Sequence, residues 1–229
     1  MIRFAQEIGV GFRGGQPIQA LEVTPSLQLS ARQLRLKRVV DFTLALILLV
    51  ICVPVFVVIA ILIKATSRGP VLFRQVRLMQ HGQPFTMLKF RTMRVDADTM
   101  LDLVFHLNEA NGPLFKVKND PRMTPVGKAL RRAYLDELPQ LLNVLHGELS
   151  LVGPRPCLPM EFDRMDGQIA FRFTVPQGLT GPWQASGCHR LTFEEQIAIE
   201  RDYVQNWSIR KDFAIMLRTV PLMLSFSGM

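Results

Sequence analysis

Two adjacent carboxylates and several nearby cations are the residues best suited to chemistry in this chain. The carboxylates are Asp136 and Glu137, and the cations closest in sequence are Arg131, Arg132 and, between two prolines, Arg155. A carboxylate can attack phosphorus and form an acyl phosphate. Arginine binds phosphate oxygens through two parallel hydrogen bonds, and Mg²⁺ is held by one or two carboxylates together with substrate phosphates. The combination indicates phosphoryl transfer, in which positioning and charge neutralisation supply most of the catalysis.

The same carboxylates also admit a purely structural interpretation. Asp136 could cap a helix that runs to about His146, with Pro139 in its first turn and Gly147 at its end. Adjacent carboxylates are common at helix starts. The sequence has neither a Walker A motif nor a dinucleotide fingerprint, so chemistry with ATP or NAD is not indicated.

Composition excludes several other classes of protein. The chain has 229 residues, 48% of them hydrophobic and 20% charged, with a net charge of +8. These values argue against a disordered chain and against a membrane protein with many spans. Only three cysteines occur, widely separated, which excludes a disulfide scaffold or a zinc cluster and favours a reducing compartment. We expect no nucleic-acid partner, because much of the excess positive charge flanks an apolar run and no matching motif is present.

The apolar run is a single membrane element. Residues Phe42 to Ile63 include 22 positions without a charge, and a straight helix of that length would be roughly 33 Å long, enough to cross a bilayer. The run begins too late and is too long for a secretory signal peptide.

Two arrangements of this element in the membrane remain open. Pro54 lies near its middle and favours a kink, which would leave two arms that each reach about half of the bilayer core. Such a helix could enter and return to the same face, but proline is also tolerated in spanning helices. The flanks carry no positive-inside bias. The basic residues are Arg32, Arg35, Lys37 and Arg38 before the run, and Lys64, Arg68, Arg74 and Arg77 after it.

The remaining pattern predicts an α+β fold that is mainly helical. We expect a polar N-terminal extension over residues 1–35, a membrane helix over 36–66 and a catalytic domain over 67–229. Asp41 is expected to pair with Lys37 or Arg38 on one helix face. The C-terminal helix could pack on its own domain or lie on the membrane surface. The predicted local elements are a basic helix from Ser30, a β-hairpin of Val71–Gln75 and Pro84–Phe90, and helices at Ala97–Glu109, from Thr124-Pro125, and at Ile209–Phe226.

Over roughly residues 35–225 the sequence resembles the bacterial monotopic phosphoglycosyl transferases, often called bacterial sugar transferases. The stretch LDELPQLLNVLHGELSLVGPRP at 135–156 is the most specific part of the resemblance. The other matching stretches are KRVVDF at 37–42, GPVLFRQVR at 69–77, KFRTM at 89–93, NGPLFKVKNDPRMTPVGKALRR at 111–132, GLTGPWQASG at 178–187 and YVQNWSIRKD at 203–212.

The resemblance implies a specific reaction. Enzymes of this kind move a sugar 1-phosphate from a nucleotide diphosphate sugar to polyprenyl phosphate. We expect the donor to be a UDP-sugar, with a hexose by analogy with the exopolysaccharide branch, and the acceptor to be undecaprenyl phosphate, with UMP released. The resemblance further implies Mg²⁺ as cofactor, membrane lipid as a partner, and a location on the cytoplasmic face of the bacterial inner membrane. It does not indicate an oligomeric state.

The resemblance also assigns roles to residues. Asp136 matches the nucleophile that would carry a covalent phospho-sugar, and Glu137 matches the partner that helps to hold Mg²⁺. Arg155 and Arg131 match phosphate-contacting positions. The other matches are Lys89 and Arg91, a basic pair beside the site, and Pro54, the bend of a re-entrant membrane helix.

The sequence departs from the usual family pattern at three places. Val53 stands where a serine often precedes the membrane proline, and Tyr134 stands where serine is usual before the nucleophile. Cys188 and His189 interrupt the usual SGRN stretch and displace Arg190. Two other functions compete with the one implied: a glycosyltransferase that passes only the sugar and releases UDP, and a non-catalytic membrane-anchored adaptor whose basic face binds anionic lipid.

Overall fold

The computed structural model describes residues 29–97, 99–100, 104–107, 117, 120–164, 169–186 and 191–225. Helices and two small sheets alternate along the chain, in agreement with the predicted α+β class. The helices are α1 (Ala31–Thr66), α2 (Pro125–Arg132), α3 (Gln140–His146), α4 (Pro159–Arg164), α5 (Pro182–Ala185), α6 (Phe193–Gln205) and α7 (Ile209–Leu224). The strands are β1 (Leu72–Leu78) and β2 (Pro84–Phe90), which pair antiparallel, and β3 (Ser150–Val152) and β4 (Gly178–Thr180), which pair parallel.

Helix α1 covers the whole of the apolar run for which the sequence predicts a membrane element. It begins in a capping box, in which the Ser30 hydroxyl accepts from the Gln33 amide and the Gln33 side chain accepts from the Ser30 amide. The helix then continues through Pro54 for 36 residues. Among the described residues it is the one helix long and apolar enough to cross a membrane. Its middle is exposed on the protein, which is compatible with a membrane anchor.

Both arms of α1 pack against the same domain. Ala45 in the first arm is fully buried in the main hydrophobic core. Ile59 and Ile63 in the second arm are buried in a separate cluster with Phe90 and Leu130. The large apolar side chains between these arms are largely exposed, so α1 contacts the domain near its two ends and leaves it in the middle.

Three charged residues at the start of α1 each bind a different element. Lys37 Nζ lies 2.6 Å from Asp212 Oδ2 on α7. The Arg38 guanidinium donates to the last backbone carbonyls of α3. Asp41 Oδ1 accepts from the Leu151 amide of β3 at 3.1 Å. The predicted pair of Lys37 and Asp41 is present at 3.9 Å, but Asp212 is the closer partner. Since Lys37 and Asp41 are buried and Arg38 is half-buried, these contacts fix the start of α1 to the domain.

The predicted hairpin is confirmed, and its first strand is longer than expected. β1 and β2 pair from Leu72 opposite Phe90 to Leu78 opposite Pro84. His81 takes a left-handed conformation, with φ of 61°, in the connecting turn. The strand extends past the predicted end because Val76, Arg77 and Leu78 also pair with β2, opposite Thr86, Phe85 and Pro84.

The helix predictions have mixed outcomes. Thr124 caps α2 as predicted, because its hydroxyl accepts from the Gly127 amide at 2.9 Å. Of the predicted helix over 97–109, Ala97 lies in a turn, Val104 is helical, and a 3₁₀ turn covers Phe105–Leu107. Its other positions fall partly outside the described residues. The C-terminal helix ends at Leu224, and the extension over 1–28 also lies outside the described residues.

The interpretation of Asp136 as a helix cap is wrong. Helix α3 begins at Gln140, and its N-cap is Pro139, which has no capping side chain. Asp136 instead lies inside a separate 3₁₀ turn over Leu135–Glu137. Gly147 ends α3 in a left-handed conformation, as predicted. The carboxylates are therefore not needed to start α3, which leaves them available for chemistry.

Candidate active site

The two carboxylates lie in the tight turn that joins α2 to α3. Tyr134, just before this turn, has a φ of 55°, a left-handed conformation that is costly for a bulky residue. Asp136 is buried, with 6% of its surface exposed. The Glu137 side chain is 30% exposed. One carboxylate is thus enclosed, while its neighbour can be reached from solvent.

Lys89 joins this turn to the hairpin. It is the penultimate residue of β2, and its Nζ lies 2.8 Å from Glu137 Oε1. Burial would raise the pKa of Glu137, but the charge and hydrogen bond of Lys89, helped by the charges of Arg155 and Arg77, outweigh it and lower that pKa. Glu137 therefore stays ionised at neutral pH.

Asp136 has the opposite shift. Burial raises its pKa to about 6, and the charge of Glu137 adds to the rise, while Lys89 and Arg131 oppose it. A carboxylate with a raised pKa is more basic than an ordinary one and is still mostly ionised at pH 7. Two adjacent carboxylates whose pKa values are pushed apart can take different roles in one reaction.

Arg155 lies on a loop that interlocks with β4. The Gly153 amide donates to Thr180 O and the Gly178 amide donates to Pro154 O, both at 2.9 Å. A Cβ at Gly153 would lie 2.3 Å from a backbone oxygen of the facing chain, so only glycine fits. The GPRP and GLTG segments are therefore in close contact. The charge of Arg155 also helps to lower the pKa of Glu137.

The structure places the other two predicted arginines differently. Arg131 Nε donates to Thr92 Oγ1 at 3.1 Å, and its charge lowers the pKa of Asp136. Arg91 is buried, and its Nη2 donates to Ser67 O at 3.1 Å and to Ser67 Oγ at 2.8 Å. Since Ser67 is the C-cap of α1, these bonds tie the end of that helix to the residue that follows β2. No described hydrogen bond of Arg91 reaches the carboxylates, and its place beside the site stays a prediction.

Arg77 is a member of the site that sequence reasoning missed. It is buried, and its Nη1 donates to Pro156 O at 3.1 Å and lies 3.5 Å from Glu161 Oε2. Burial lowers the pKa of Arg77 to about 10, and the charge of Arg155 acts in the same direction. The sequence indicates Arg77 only as one of the basic residues after the apolar run, although it lies in the matching stretch at 69–77.

The residues present fit a Mg²⁺ ion that is completed by substrate. The described residues contain no group of three or more His, Cys, Asp or Glu side chains that could hold a metal. Mg²⁺ is commonly bound by one or two carboxylates together with substrate phosphates. Asp136 and Glu137 supply that number of ligands. Of the departures noted above, Cys188 and His189 lie outside the described residues.

The site is a carboxylate pair with separated pKa values, near arginines and a lysine, in a domain that packs against an apolar helix. These features are compatible with phosphoryl transfer at a membrane. The family model for bacterial sugar transferases matches residues 32–226. The chain belongs to this family.

Relatives with assigned names are similar over most of the chain. This chain is 40% identical over 189 residues to the exopolysaccharide production protein ExoY of Rhizobium meliloti, and the aligned region covers 81% of this chain and 84% of that protein. It is 40% identical over 198 residues to the UDP-glucose:undecaprenyl-phosphate glucose-1-phosphate transferase of Caulobacter vibrioides, covering 82% and 70%. It is 34% identical over 201 residues to the undecaprenyl-phosphate galactose phosphotransferase of Salmonella typhimurium, covering 84% and 41%. The predicted family and the enzyme class, a phosphoglycosyl transferase, are confirmed.

Proposed function

We propose that this enzyme transfers a hexose 1-phosphate from a UDP-hexose to undecaprenyl phosphate, releases UMP, and so performs the first membrane step of exopolysaccharide assembly. The names of the relatives support sugar-phosphate transfer to a polyprenyl phosphate. The observation that carries the proposal is the carboxylate pair, in which burial raises the pKa of Asp136 to about 6 while Lys89 and two arginines lower that of Glu137.

In the first step Asp136 acts as nucleophile. A carboxylate oxygen forms a bond to the β-phosphorus of the donor, the bond from that phosphorus to the bridging oxygen breaks, and UMP leaves with the electron pair. The product is an acyl phosphate that carries the sugar. The raised pKa of Asp136 favours this step, because a more basic carboxylate is a better nucleophile while it remains ionised at neutral pH.

In the second step the acceptor phosphate takes the place of UMP. An oxygen of undecaprenyl phosphate attacks the same phosphorus, the bond to Asp136 breaks, and the carboxylate is regenerated. The lipid then carries a diphosphate linked to the sugar. A nearby cluster of cations suits this exchange, since both steps bring negative phosphate oxygens to one place.

Glu137 and its cations hold the diphosphate. Glu137 and Asp136 would bind Mg²⁺, which would neutralise negative charge on the donor phosphates. The partial exposure of Glu137 leaves it accessible to a hydrated ion. Arg155 and Arg131 are proposed to contact phosphate oxygens, because each acts electrostatically on one of the two carboxylates.

We further propose that α1 is re-entrant. A helix that spans the bilayer has its ends on opposite faces, so a domain on one face could not contact both. Here Ala45 and Ile63, on opposite sides of Pro54, are both buried against one domain, while the residues between them are largely exposed. Such contacts favour a helix that enters and leaves by the cytoplasmic face.

The exposed apolar side chains of α7 favour a location of the domain on the membrane surface. Phe213, Leu217 and Val220 are exposed, with Leu217 at 71%. Ile215 on the same helix is buried in the core. A helix that buries one face and exposes several large apolar side chains on another is typical of an interfacial element. This arrangement would place the acceptor phosphate, at the bilayer surface, within reach of the site.

A nucleotide-release assay tests the reaction. Purified protein is incubated with Mg²⁺, undecaprenyl phosphate and a panel of UDP-sugars, and the released nucleotide is identified. UMP from at least one UDP-hexose is the expected product. UDP would instead indicate transfer of the sugar alone, and a chain that releases no nucleotide from any donor would favour the adaptor.

A further inference from the structure

We propose that Trp183 is a positioning residue that holds the Arg155 guanidinium in place for the donor diphosphate. This inference rests on the proposed function, because it concerns how the donor is bound. Arg155 Cζ lies 5.5 Å from the centre of the Trp183 ring, a geometry at which a cation is attracted to the face of an indole.

The backbone that carries Arg155 is fixed on both sides. The Arg155 amide donates to Glu200 Oε1 at 3.3 Å, and Glu200 is fully buried. The next carbonyl, of Pro156, accepts from Arg77, and that of Cys157 accepts from the Leu78 amide at 3.0 Å. The Cα of Arg155 is therefore determined by the fold. Only its side chain still needs to be held.

The side chains of the neighbouring buried arginines already have anionic partners. Arg77 is paired with Glu161, and Arg172 is paired with Glu200. Within the described part of the chain, the Arg155 side chain makes no hydrogen bond, and its buried Nε has no acceptor. Of these three guanidinium groups, that of Arg155 is the one left to bind an anionic oxygen of a ligand.

Trp183 is held against this loop by a contact that only glycine allows. Gly181 precedes α5, and a Cβ at Gly181 would lie 2.2 Å from Gly153 O. The helix that carries Trp183 is thus docked on the loop that carries Arg155. The indole Nε1 has no acceptor among the described residues, so hydrogen bonding does not explain the position of the ring. The contact between the face of the ring and the Arg155 guanidinium accounts for that position.

The physical consequence is a reduced cost of binding. A free arginine side chain must lose rotamer freedom when it binds phosphate. A guanidinium that already lies on an indole loses less, and the ring does not compete for its hydrogen-bond donors. Removing the ring should therefore weaken donor binding only while Arg155 is present.

A double-mutant cycle tests this coupling. Trp183→Leu is made in the wild-type chain and in an Arg155→Ala background, with Trp183→Phe as the conservative variant. The Kd for UDP with Mg²⁺ and the KM and kcat for the donor are measured, together with the Tm. Phe162→Leu is the matched control, since the Phe162 ring packs against the Phe173 ring at 5.3 Å.

The expected result is coupling between the two positions. Trp183→Leu should raise Kd and KM roughly 3- to 30-fold with a smaller change in kcat, and Trp183→Phe should restore part of the loss. In the Arg155→Ala background the same change should have little effect on Kd. Phe162→Leu should lower the Tm without coupling to Arg155.

Equal losses in both backgrounds would overturn the inference, because they would show that Trp183 acts independently of Arg155. The measurements distinguish a failure of this inference from a failure of the proposed function. A wild-type chain that binds UDP but releases no UMP would contradict the reaction, while the Kd cycle would still decide the role of Trp183. A wild-type chain that neither binds UDP nor releases UMP would contradict both.

Discussion

Lys89 Nζ lies 2.8 Å from Glu137 Oε1, so the second strand of the hairpin supplies the cation that keeps one of the two carboxylates ionised. The same lysine opposes the rise in the pKa of Asp136, but burial and Glu137 outweigh it there. One ammonium group thus acts on both members of the pair. Its removal should affect them in the same direction.

Replacing Lys89 tests this relationship. Lys89→Met removes a charge that lowers the pKa of both carboxylates, so both pKa values should rise. The acidic limb of the pH profile of kcat/KM should move to higher pH, because more alkaline conditions are needed to ionise Asp136. The control is Lys128→Met, an exposed lysine on α2. An unchanged acidic limb would show that Lys89 does not set the ionisation of the pair.

Asp136→Asn should raise stability while it removes activity. The folded-state pKa of about 6 lies above the ordinary value of 3.8, so the protonated form is favoured in the folded protein. That contribution is fully present below pH 3.8 and is lost as the pH rises through about 6. Above pH 6 the buried charge is therefore destabilising.

The measurement is Tm against pH for wild type and Asp136→Asn. The variant should melt at a higher temperature at pH 7.5, by a few degrees as an order of magnitude, and the difference should shrink towards pH 4. A variant that melts lower than wild type at pH 7.5 would contradict the burial argument. Gain of stability on loss of a functional group is a common sign of an active site.

The sequence predicted the elements whose local pattern agrees with their tertiary role. The Thr124-Pro125 helix start, the Gly147 helix end and the hairpin all have their causes within a few residues of chain. The same local reasoning failed for Asp136, which looks like a helix cap in sequence. The left-handed Tyr134 and the preceding end of α2 instead place it in a separate turn.

The surroundings of the site could not be derived from spacing. Arg77 and Arg155 are 78 positions apart, and Lys89 is 48 positions from Glu137. Their proximity depends on strand pairing and on the interlock of Gly153 with β4. Local periodicity carries no information on such contacts. Sequence resemblance pointed to Lys89 and Arg155, but it could not show that Arg91 is bonded to the end of α1.

The buried contact between the membrane helix and α7 should matter for stability. Asp212 accepts from Lys37, Tyr203 and Trp207. Asp212→Asn would leave the buried Lys37 with only the more distant Asp41, and loss of one partner of a buried ion pair costs about 3–5 kcal/mol. The Tm in detergent should fall on the order of 10 °C.

Lys211→Met is the matched control for this prediction. Lys211 is next to Asp212, but its ion pair with Asp202 is exposed, so its loss should change stability by less than about 1 kcal/mol. A further variant with both Lys37→Met and Asp212→Asn, which removes both charges and keeps an acceptor for Tyr203 and Trp207, should recover part of the stability. Equal effects of Asp212→Asn and Lys211→Met would show that burial does not strengthen the Lys37 contact.

Accessibility of the two ends of α1 tests the re-entrant proposal. Arg32→Cys and Arg68→Cys place a thiol at an exposed position on each side of Pro54, in a chain whose native cysteines are alanine. A membrane-impermeant maleimide should label neither site in intact cells and both in inverted membrane vesicles. Labelling of one site from each side would instead show a spanning helix. Both sites should react in detergent, which confirms that the thiols are accessible.

The most direct test of the account is the covalent intermediate. Wild-type protein and Asp136→Asn are each mixed with Mg²⁺ and the active UDP-sugar in the absence of any polyprenyl phosphate, and UMP release and intact protein mass are followed. The account predicts a burst of at most one UMP per wild-type chain, a mass increase equal to one sugar phosphate, and its loss when undecaprenyl phosphate is added. Asp136→Asn should give neither the burst nor the mass increase. A wild-type chain that releases UMP only when acceptor is present, with no change in protein mass, would contradict the role of Asp136 as nucleophile.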